Sequence, residues 1–588
     1  MVRKLFEAIS AHFRGTVREP QVEFAEMVER TLQSERDDLV AEVPTGTGKS
    51  LALLVPALLS GKRVIISTAT KNLQEQYKKD VALLMKLFPE FKGKYVSFAK
   101  GKGNYACTLK MAETGIVVQG ERDENPNVNW APISASTCVG IGDCKLSYNC
   151  PYGKQVWRWQ NSHVIIANHA LVMTDRQALP TPEAYIFDEA HHVEDVAREA
   201  FSYSFSEDYF KGLVDANPLL QRSDEPKVFL QLVKEYFGCI KLRGIYQQVL
   251  PELPQKLGEE LLQEAERLDR RIVNVVNKVF VDAVHAMITL NSGIEKEGFI
   301  PWARAENDKT VIGASPVAVA EQLAFRFSGV PTVQVSATMG DLDYHRKVTG
   351  VPRASAVRYP GVFDYRKNCL LYIPEQFPSP KEPEKWREAS IQKYVGLLNC
   401  SQGNALLLFT SWEMLDYVHG ALQGKVEYPM KKQEGHNRDE LVEWMKATPG
   451  SVLLGVASFW EGIDIPGDSL QMVIIDKIPF VAPGNPVEDA IQKGMGGWKF
   501  REIPVASRKL QQGFGRLIRS VNDRGVVAIL DPRLMTMGYG TDMLEKLPGL
   551  RTQKSAVVKG FFDHPDFHSE FAASKKGDLI EVKNGKLI

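Results

Sequence analysis

Residues 41–50 read AEVPTGTGKS. Such a run can turn backbone amides inward around phosphate oxygens, because Gly46 and Gly48 allow a path that a Cβ would obstruct. Pro44, Thr45, Gly46, Thr47 and Gly48 would form the cradle, Lys49 would reach the β- and γ-phosphates, and Ser50 would ligate magnesium. Against the pattern G-x-x-x-x-G-K-[ST], Val43 replaces the first glycine. That departure should cost little, since its side chain need not face phosphate. A second segment, YIFDEAHH, supplies Asp188 and Glu189 at the end of an apolar run. Asp188 would hold magnesium through its water shell, and Glu189 would orient or deprotonate an attacking water. A third, QQGFGRLIRS, supplies Gln512, Arg516 and Arg519. The arginines are three apart, hence expected on one helix face, where a second domain could bring them to the γ-phosphate. Each segment has a bland reading: a chance loop, a surface turn, two solvated arginines. Their combination in one chain points to a nucleoside-triphosphatase motor.

Four of seven cysteines fall between 107 and 150: Cys107, Cys138, Cys144 and Cys150, with 30, 5 and 5 residues between them. Thiolates are soft ligands, and four of them suit zinc or a [4Fe–4S] cluster. The absence of C-x2-C pairs leans away from zinc without deciding. Cys239, Cys369 and Cys400 lie in apolar patterns and read as core.

These residues need a frame. The chain has 588 residues, enough for roughly three to five domains or subdomains. Residues 1–35 have helical spacing. From residue 39, short apolar runs recur with helices between them: LVAEV, RVIIST, HVIIAN and AYIFDEA. Continuous apolar runs of this length read as buried parallel strands, with the ligand site at their C-terminal ends. TVQVSATM resumes the series. A second series follows residue 365: CLLYIP, ALLLFT, SVLLGVAS, MVIIDKIPF and GVVAILD. The expected fold is therefore α/β, with two parallel-sheet motor domains. Residues 101–151 are rich in Gly, Asn, Ser and Cys, and residues 196–310 read as long amphipathic helices. The expected division is a first motor domain over 1–100, 152–195 and 311–345, broken by a cysteine-bearing insertion at 101–151 and a helical one at 196–310. A second motor domain takes 346–588, and its last thirty residues read as a polar peripheral tail.

Charged residues make up 24% and formal net charge is zero, so bulk charge neither announces nor excludes a polyanion partner. No run approaches the roughly 18 apolar residues of a membrane span or resembles a signal sequence. The expectation is a cytoplasmic protein without membrane contact.

A phosphate loop, DEAH and Q-x-x-G-R-x-x-R in this order mark the superfamily 2 helicases. Nearly the whole chain resembles the DinG-type, XPD-like iron–sulfur members, which implies two RecA-like domains with an iron–sulfur insertion and a helical arch in the first. REPQ (Arg18, Gln21) resembles the element that reads adenine. STATKNLQEQ resembles the first strand-contacting motif, KGKGNYAC the approach to the first cluster cysteine, and ANHALV (Asn168, His169) the segment before DEAH. VSATM resembles the motif coupling hydrolysis to strand binding. LLLFTSWEML and SFWEGIDIPG (Gly462, Asp464) resemble second-domain motifs. GVFDY at 361 departs from the frequent Ser-Pro pair, and Gly361 is given no role.

The resemblance implies ATP, Mg2+ and a [4Fe–4S] cluster on the four cysteines. It implies DNA contacts at Thr70, Lys71, Gln74, Lys100, Lys102, Tyr105, Thr410, Ser411, Trp412, Ser458, Phe459 and Trp460. Two of these have competing readings: Trp460 as domain-interface packing and the Lys71–Lys79 run as a solvated helix face. His191 and His192 are candidates to bridge the nucleotide site to the second domain, with a buried structural role open for His192. About 17 residues precede REPQ, so the fused exonuclease domain of some relatives is expected to be absent. The implied activity is ATP-dependent 5′→3′ DNA unwinding by a monomer, on single strands, forks or R-loops, in repair, replication or beside a CRISPR effector, with a single-strand-binding protein as a further partner. The rivals are a DNA-stimulated translocase that remodels protein–DNA complexes and a non-catalytic DNA-binding subunit.

Overall fold

The structure is a computed structural model. It describes residues 1–564 except 131, 138–143, 145, 147, 176–177, 216–219, 221–222, 243–245, 248–254, 272–278, 292–297, 307–308, 362, 436, 461–462, 464, 466, 482–483 and 521, together with 579–580, 582–583 and 586–587.

Two parallel sheets carry the architecture. The first has seven strands in the spatial order Ser355–Arg358, Asp38–Glu42, Thr332–Ser336, Ala184–Asp188, Val64–Thr68, Val164–Asn168 and Val96–Ala99. Their side chains alternate between two buried faces. Leu39, Ala41, Val64, Ile66, Val164 and Ile166 join one core, shared with the helices Val2–His12 and Glu19–Gln33. Val40, Ile65, Ile165 and Ala167 join the other. Burial on both faces is why these strands read as unbroken apolar runs.

The second sheet runs Met430–Lys432, Val452–Gly455, Ala405–Leu408, Met472–Ile475, Gly525–Ile529, Cys369–Tyr372 and Leu550–Thr552, all parallel. Leu579–Ile580 adds antiparallel at the edge, so part of the tail expected to be peripheral pairs with the sheet. Here too the strands divide their residues between two cores.

Two expectations need correction. The expected boundary at 345 is wrong, because Ser355–Arg358 pairs with Asp38–Glu42 in the first sheet. This edge strand, SAVR, is short and largely exposed, so it lacks the signal of a buried one. Residues 196–310, read as helical, hold helices Glu207–Asp215, Pro226–Gly238, Gln255–Arg271 and Val279–Asn291. They also hold strands Tyr203–Phe205, Tyr246–Gln247 and Phe299–Glu306, which join Lys309–Pro316 in an antiparallel four-stranded sheet. The strand Phe299–Glu306 is only partly buried, with Trp302 and Ala303 its buried residues, a weaker signal than the helices beside it. No helix among the described residues is long and apolar enough to cross a membrane.

Candidate active site between the two sheets

Three neighbouring strands end together. Glu42 pairs with Ser336, and Val335 with Asp188, so the residues after Glu42, Ser336 and Asp188 share the C-terminal edge of the first sheet. The loop from Val43 to Gly48 leaves this edge and enters the helix Lys49–Leu59. Gly46 and Gly48 have φ of 82° and 87°, the left-handed region glycine occupies without Cβ strain. Val43 is buried, and its amide donates to the Ser336 carbonyl at 2.9 Å; it anchors the loop and does not line it. Thr47 Oγ1 donates to the Pro44 carbonyl at 2.9 Å and closes the turn.

The two residues of REPQ lie on this loop. Arg18 donates to the Gly46 carbonyl, and Gln21 Nε2 donates to the Gly48 carbonyl at 2.9 Å. A Cβ built on Gly48 would sit 2.3 Å from Gln21 Nε2, so the close fit depends on a glycine there.

Asp188 is buried at the end of its strand. Its Oδ2 accepts the Tyr77 hydroxyl at 2.9 Å, and its Oδ1 accepts the Glu189 amide at 3.0 Å. Burial, then the neighbouring Glu189 charge, pushes the Asp188 carboxyl up to about 6, against the opposing pull of Lys49. Glu189 has φ of 56°, an uncommon conformation for a residue with a side chain. Burial works against its charge, but the His191 hydrogen bond, the Lys49 cation and Ser336 together hold it below the usual carboxylate range. Two adjacent carboxyls are thus pushed apart, one toward sharing a proton and one held ionised.

A donor chain runs from the second domain to Glu189. Gln512 Nε2 lies 2.8 Å from His191 Nε2, His191 Nδ1 lies 2.7 Å from Ser336 Oγ, and Ser336 Oγ donates to Glu189 Oε2 at 2.8 Å. The arrangement that satisfies all three contacts has Gln512 donating to a neutral imidazole that donates through Nδ1. His191 therefore bridges to the second domain.

The arginines depart from expectation. The helix Trp498–Phe514 ends before them, with Gly515 at its C-cap, so Arg516 and Arg519 follow a turn and do not share a helix face. They converge all the same: Arg516 Nη1 and Arg519 Nη2 donate to one carbonyl, Ile463 O, at 3.0 and 2.8 Å. Gly462 and Asp464, on either side of Ile463, lie outside the described residues.

Two residues escaped the sequence reading. Tyr77, fully buried, fixes Asp188 from the helix Lys71–Leu87. On the same helix the buried Asp80 accepts from Gln76 at 3.0 Å and lies beside the Ser50 hydroxyl. The i, i+3 spacing of Tyr77 and Asp80 was the only available hint.

The proposed strand contacts divide by exposure. Trp412 is 47% exposed, and Lys102 and Ser458 are also exposed. Thr70 and Ser411 cap helices, accepting from the amides of Leu73 and Met414. Thr410 donates through its amide and hydroxyl to Asp476 Oδ2, at 3.3 and 3.1 Å. The side chain of Lys71 lies outside the described residues. Lys100 is paired with Glu121 at 2.6 Å and Asp123 at 3.0 Å. Four expectations are corrected by burial. Gln74 is 4% exposed, and the rings expected under bases, Tyr105, Phe459 and Trp460, are core. Tyr105 packs with Tyr152 and Trp159, while Trp460 donates to the Phe409 carbonyl at 3.2 Å. An aromatic in a strand-end motif has two faces to choose from, and these point into the sheet's core.

Of the four cysteines, Cys138 lies outside the described residues. Cys107 and Cys150 pack against the same core as Tyr105, Tyr152 and Trp159, and Cys144 is half-buried. Cys150 Sγ accepts the Gly153 amide at 3.1 Å, the kind of N–H to sulfur bond that supports a cluster-ligating thiolate. Among the described residues no group of three or more His, Cys, Asp and Glu is placed to hold a metal. Cys107, Cys144 and Cys150 are each half-buried.

Comparisons with known proteins agree with this geometry. Residues 24–119 match the DEAD/DEAH box helicase family, and residues 394–549 match the helicase C-terminal domain. The chain is 27% identical to the ATP-dependent DNA helicase YoaA of Haemophilus influenzae, covering 90% of this chain and 93% of that one. It is also 27% identical to the ATP-dependent helicase DinG of Mycobacterium tuberculosis, covering 93% and 95%. Among solved structures, an XPD helicase superimposes with a TM-score of 0.62 at 19% identity, covering 91% of this chain and all of that one. The chain thus carries stretches that match the DEAD/DEAH box helicase and helicase C-terminal domain families, is similar over nearly its whole length to helicases named DinG and YoaA, and shares the fold of XPD.

Proposed function

We propose that the chain is an ATP-dependent DNA helicase that moves 5′→3′ on single-stranded DNA and opens forked duplexes or R-loops. The observation that carries this reading is the donor chain Gln512–His191–Ser336–Glu189, which ties the carboxylate beside the phosphate loop to the second sheet domain. A motor needs that link, because hydrolysis must be felt by the domain that moves. The relatives named as ATP-dependent helicases support the same reading, and the polarity rests on the family alone.

In this reading the loop amides and Lys49 hold the phosphates, while Arg18 and Gln21 tie the adenine side to the loop. Ser50 and Asp188 would hold magnesium, which would supply positive charge against the nucleotide's phosphates. Glu189, held ionised by His191, Lys49 and Ser336, takes a proton from the attacking water or orients it. Gln512, Arg516 and Arg519, with Gly462 and Asp464 beside Ile463, complete the site from the second domain. The strand would cross the exposed Trp412, Lys102 and Ser458, near Thr70, Lys71, Thr410 and Ser411. Cys107, Cys138, Cys144 and Cys150 would hold a [4Fe–4S] cluster, a structural and redox group on soft donors.

The deciding experiment measures ATPase and strand separation on 5′-tailed, 3′-tailed and R-loop substrates, with Lys49→Ala as control. Unwinding of 5′-tailed forks that Lys49→Ala abolishes supports the proposal. ATPase without strand separation on any substrate leaves a translocase, and ATPase unchanged by Lys49→Ala leaves neither motor. For the cluster, anaerobically purified protein should be brown and carry about four iron per chain; colourless protein with stoichiometric zinc overturns it.

A further inference from the structure

The two sheet domains touch at a second place, away from the nucleotide. Arg501, near the start of the helix Trp498–Phe514, is only 3% exposed. Its Nη1 donates to both carboxylate oxygens of Glu194 at 2.9 Å, and its Nε and Nη2 donate to Glu488 at 3.2 Å. Tyr344 donates to Glu194 at 3.0 Å and also contacts Arg501. Glu194 sits on the helix Val193–Phe201, which begins directly after His192. One turn on, Arg198 donates to Glu194 at 2.6 Å and holds the carbonyls of Pro316 and Val317. Pro316 ends the last strand of the antiparallel insertion sheet, and Val317 follows it. From the other side, Trp302 of that sheet packs on Val487 and Ile491 of the helix Pro486–Gly494, which carries Glu488.

Three bodies thus meet at one buried charge: the helix that continues from DEAH, the base of the helical insertion, and the second sheet domain. A cavity of ≈ 410 Å³ borders the meeting point between Arg198, Trp302 and Glu488, leaving room for the parts to turn. The helix that carries Arg501 at one end carries Gln512 at the other, about 16 Å away at 1.5 Å per residue. One helix therefore meets the first domain at both ends, through Gln512 beside the DEAH segment and through Arg501 at the base of the insertion, with Arg508 between them 4.0 Å from Asp195.

We infer that Arg501 is the pivot of a three-way joint that converts movement of the two sheet domains around nucleotide into movement of the helical insertion. Arg501 is a positioning residue: its partners are Glu194, Glu488 and Tyr344, none of them in the phosphate loop. A buried guanidinium with carboxylates on both sides keeps its partners while they rotate, and a bidentate fork holds their orientation. The inference rests on the helicase reading for the meaning of the movement, and on geometry alone for the joint.

The test uses full-length protein with fluorophores placed through a non-cysteine amino acid at exposed Glu259 in the insertion and Glu440 in the second domain. In the unaltered protein, a non-hydrolysable ATP analogue with single-stranded DNA should change energy transfer between the two. Arg501→Lys should abolish that change and lower strand separation per ATP hydrolysed about tenfold, a loss of coupling of the usual size, while nucleotide affinity holds. A transfer change that survives in Arg501→Lys overturns the joint. So does a loss of ATPase and unwinding in equal proportion, the mark of a structural defect. If Arg501→Lys does not fold, Glu488→Gln keeps the Glu194 half of the site and should weaken the transfer change; no weakening overturns the proposal. Transfer changes without any unwinding in the unaltered protein sink the helicase reading and leave the joint standing.

Discussion

The two sheets share a design and differ at their C-terminal edges. In the first, the edge is built from uncommon backbone: Gly46, Gly48 and Glu189 all have left-handed φ, and the Asp188 and Glu189 carboxyls are pushed in opposite directions. In the second, the edge is closed on itself. Asp476 takes the amide and hydroxyl of Thr410 and the amide of Lys477. Asp531 takes the Ile478 amide at 2.9 Å and pairs with Arg533 at 2.6 Å. Both edges are buried and polar, but the first carries the glycine-bearing loop Val43–Gly48 that runs into the helix Lys49–Leu59. Nucleotide chemistry belongs to the loop grafted on the sheet, while the sheet supplies only a place for it. The second domain contributes by reaching over, through Gln512 and the arginines.

The contrast can be broken in graded ways. The largest effect should come from Glu189→Gln, which removes the ionised carboxylate but keeps its shape. Steady-state hydrolysis should fall about 1000-fold, within the range for a lost general base, while ATP still binds in a filter or fluorescence assay; equal loss of both would place Glu189 in binding instead. Next, the two tryptophans of the second domain should part company. Trp460→Ala opens the core and should cost about 3–5 kcal/mol in a denaturant titration. Trp412→Ala should leave stability alone and weaken single-strand binding by about 1–3 kcal/mol if a base stacks there. Gly48→Ala forces a side chain into φ of 87° against Gln21. Nucleotide affinity should drop about tenfold, matching 1–2 kcal/mol of left-handed strain.

The smallest effect concerns pH at the second edge. Burial pushes Asp476 up to about 7, against Lys477 and the Thr410 bonds. A carboxyl raised in the folded state contributes stability that is full below its unfolded value, about 3.9, and lost as pH rises through about 7. Asp476→Asn should therefore flatten the fall in melting temperature between pH 5 and 8, worth about 1–2 kcal/mol. An unchanged slope would place the ionisation elsewhere.

Much of the first edge was legible from the chain alone. AEVPTGTGKS and YIFDEAHH are local patterns, and local patterns survive folding because strand, turn and helix are set within a few residues. The partners that tune them were not legible. Tyr77 and Asp80 come from a crossover helix, and Arg501 finds Glu194 across 307 residues. No spacing rule reaches that far. The aromatics of SFWEGIDIPG and KGKGNYAC misled for a related reason: a motif fixes which residues are present, while packing fixes which way they face. The strand Ser355–Arg358 was missed because an edge strand need not be apolar.

The shared acceptor of Arg516 and Arg519 has one more implication. A carbonyl oxygen has two lone pairs, and the Ile463 oxygen offers one to each guanidinium. If one arginine swings toward a phosphate, the other keeps that oxygen satisfied, and no buried acceptor is orphaned. The pair works like two hands on one rail: either can let go without the grip being lost, so recruitment of the first cation is cheap and recruitment of both is not.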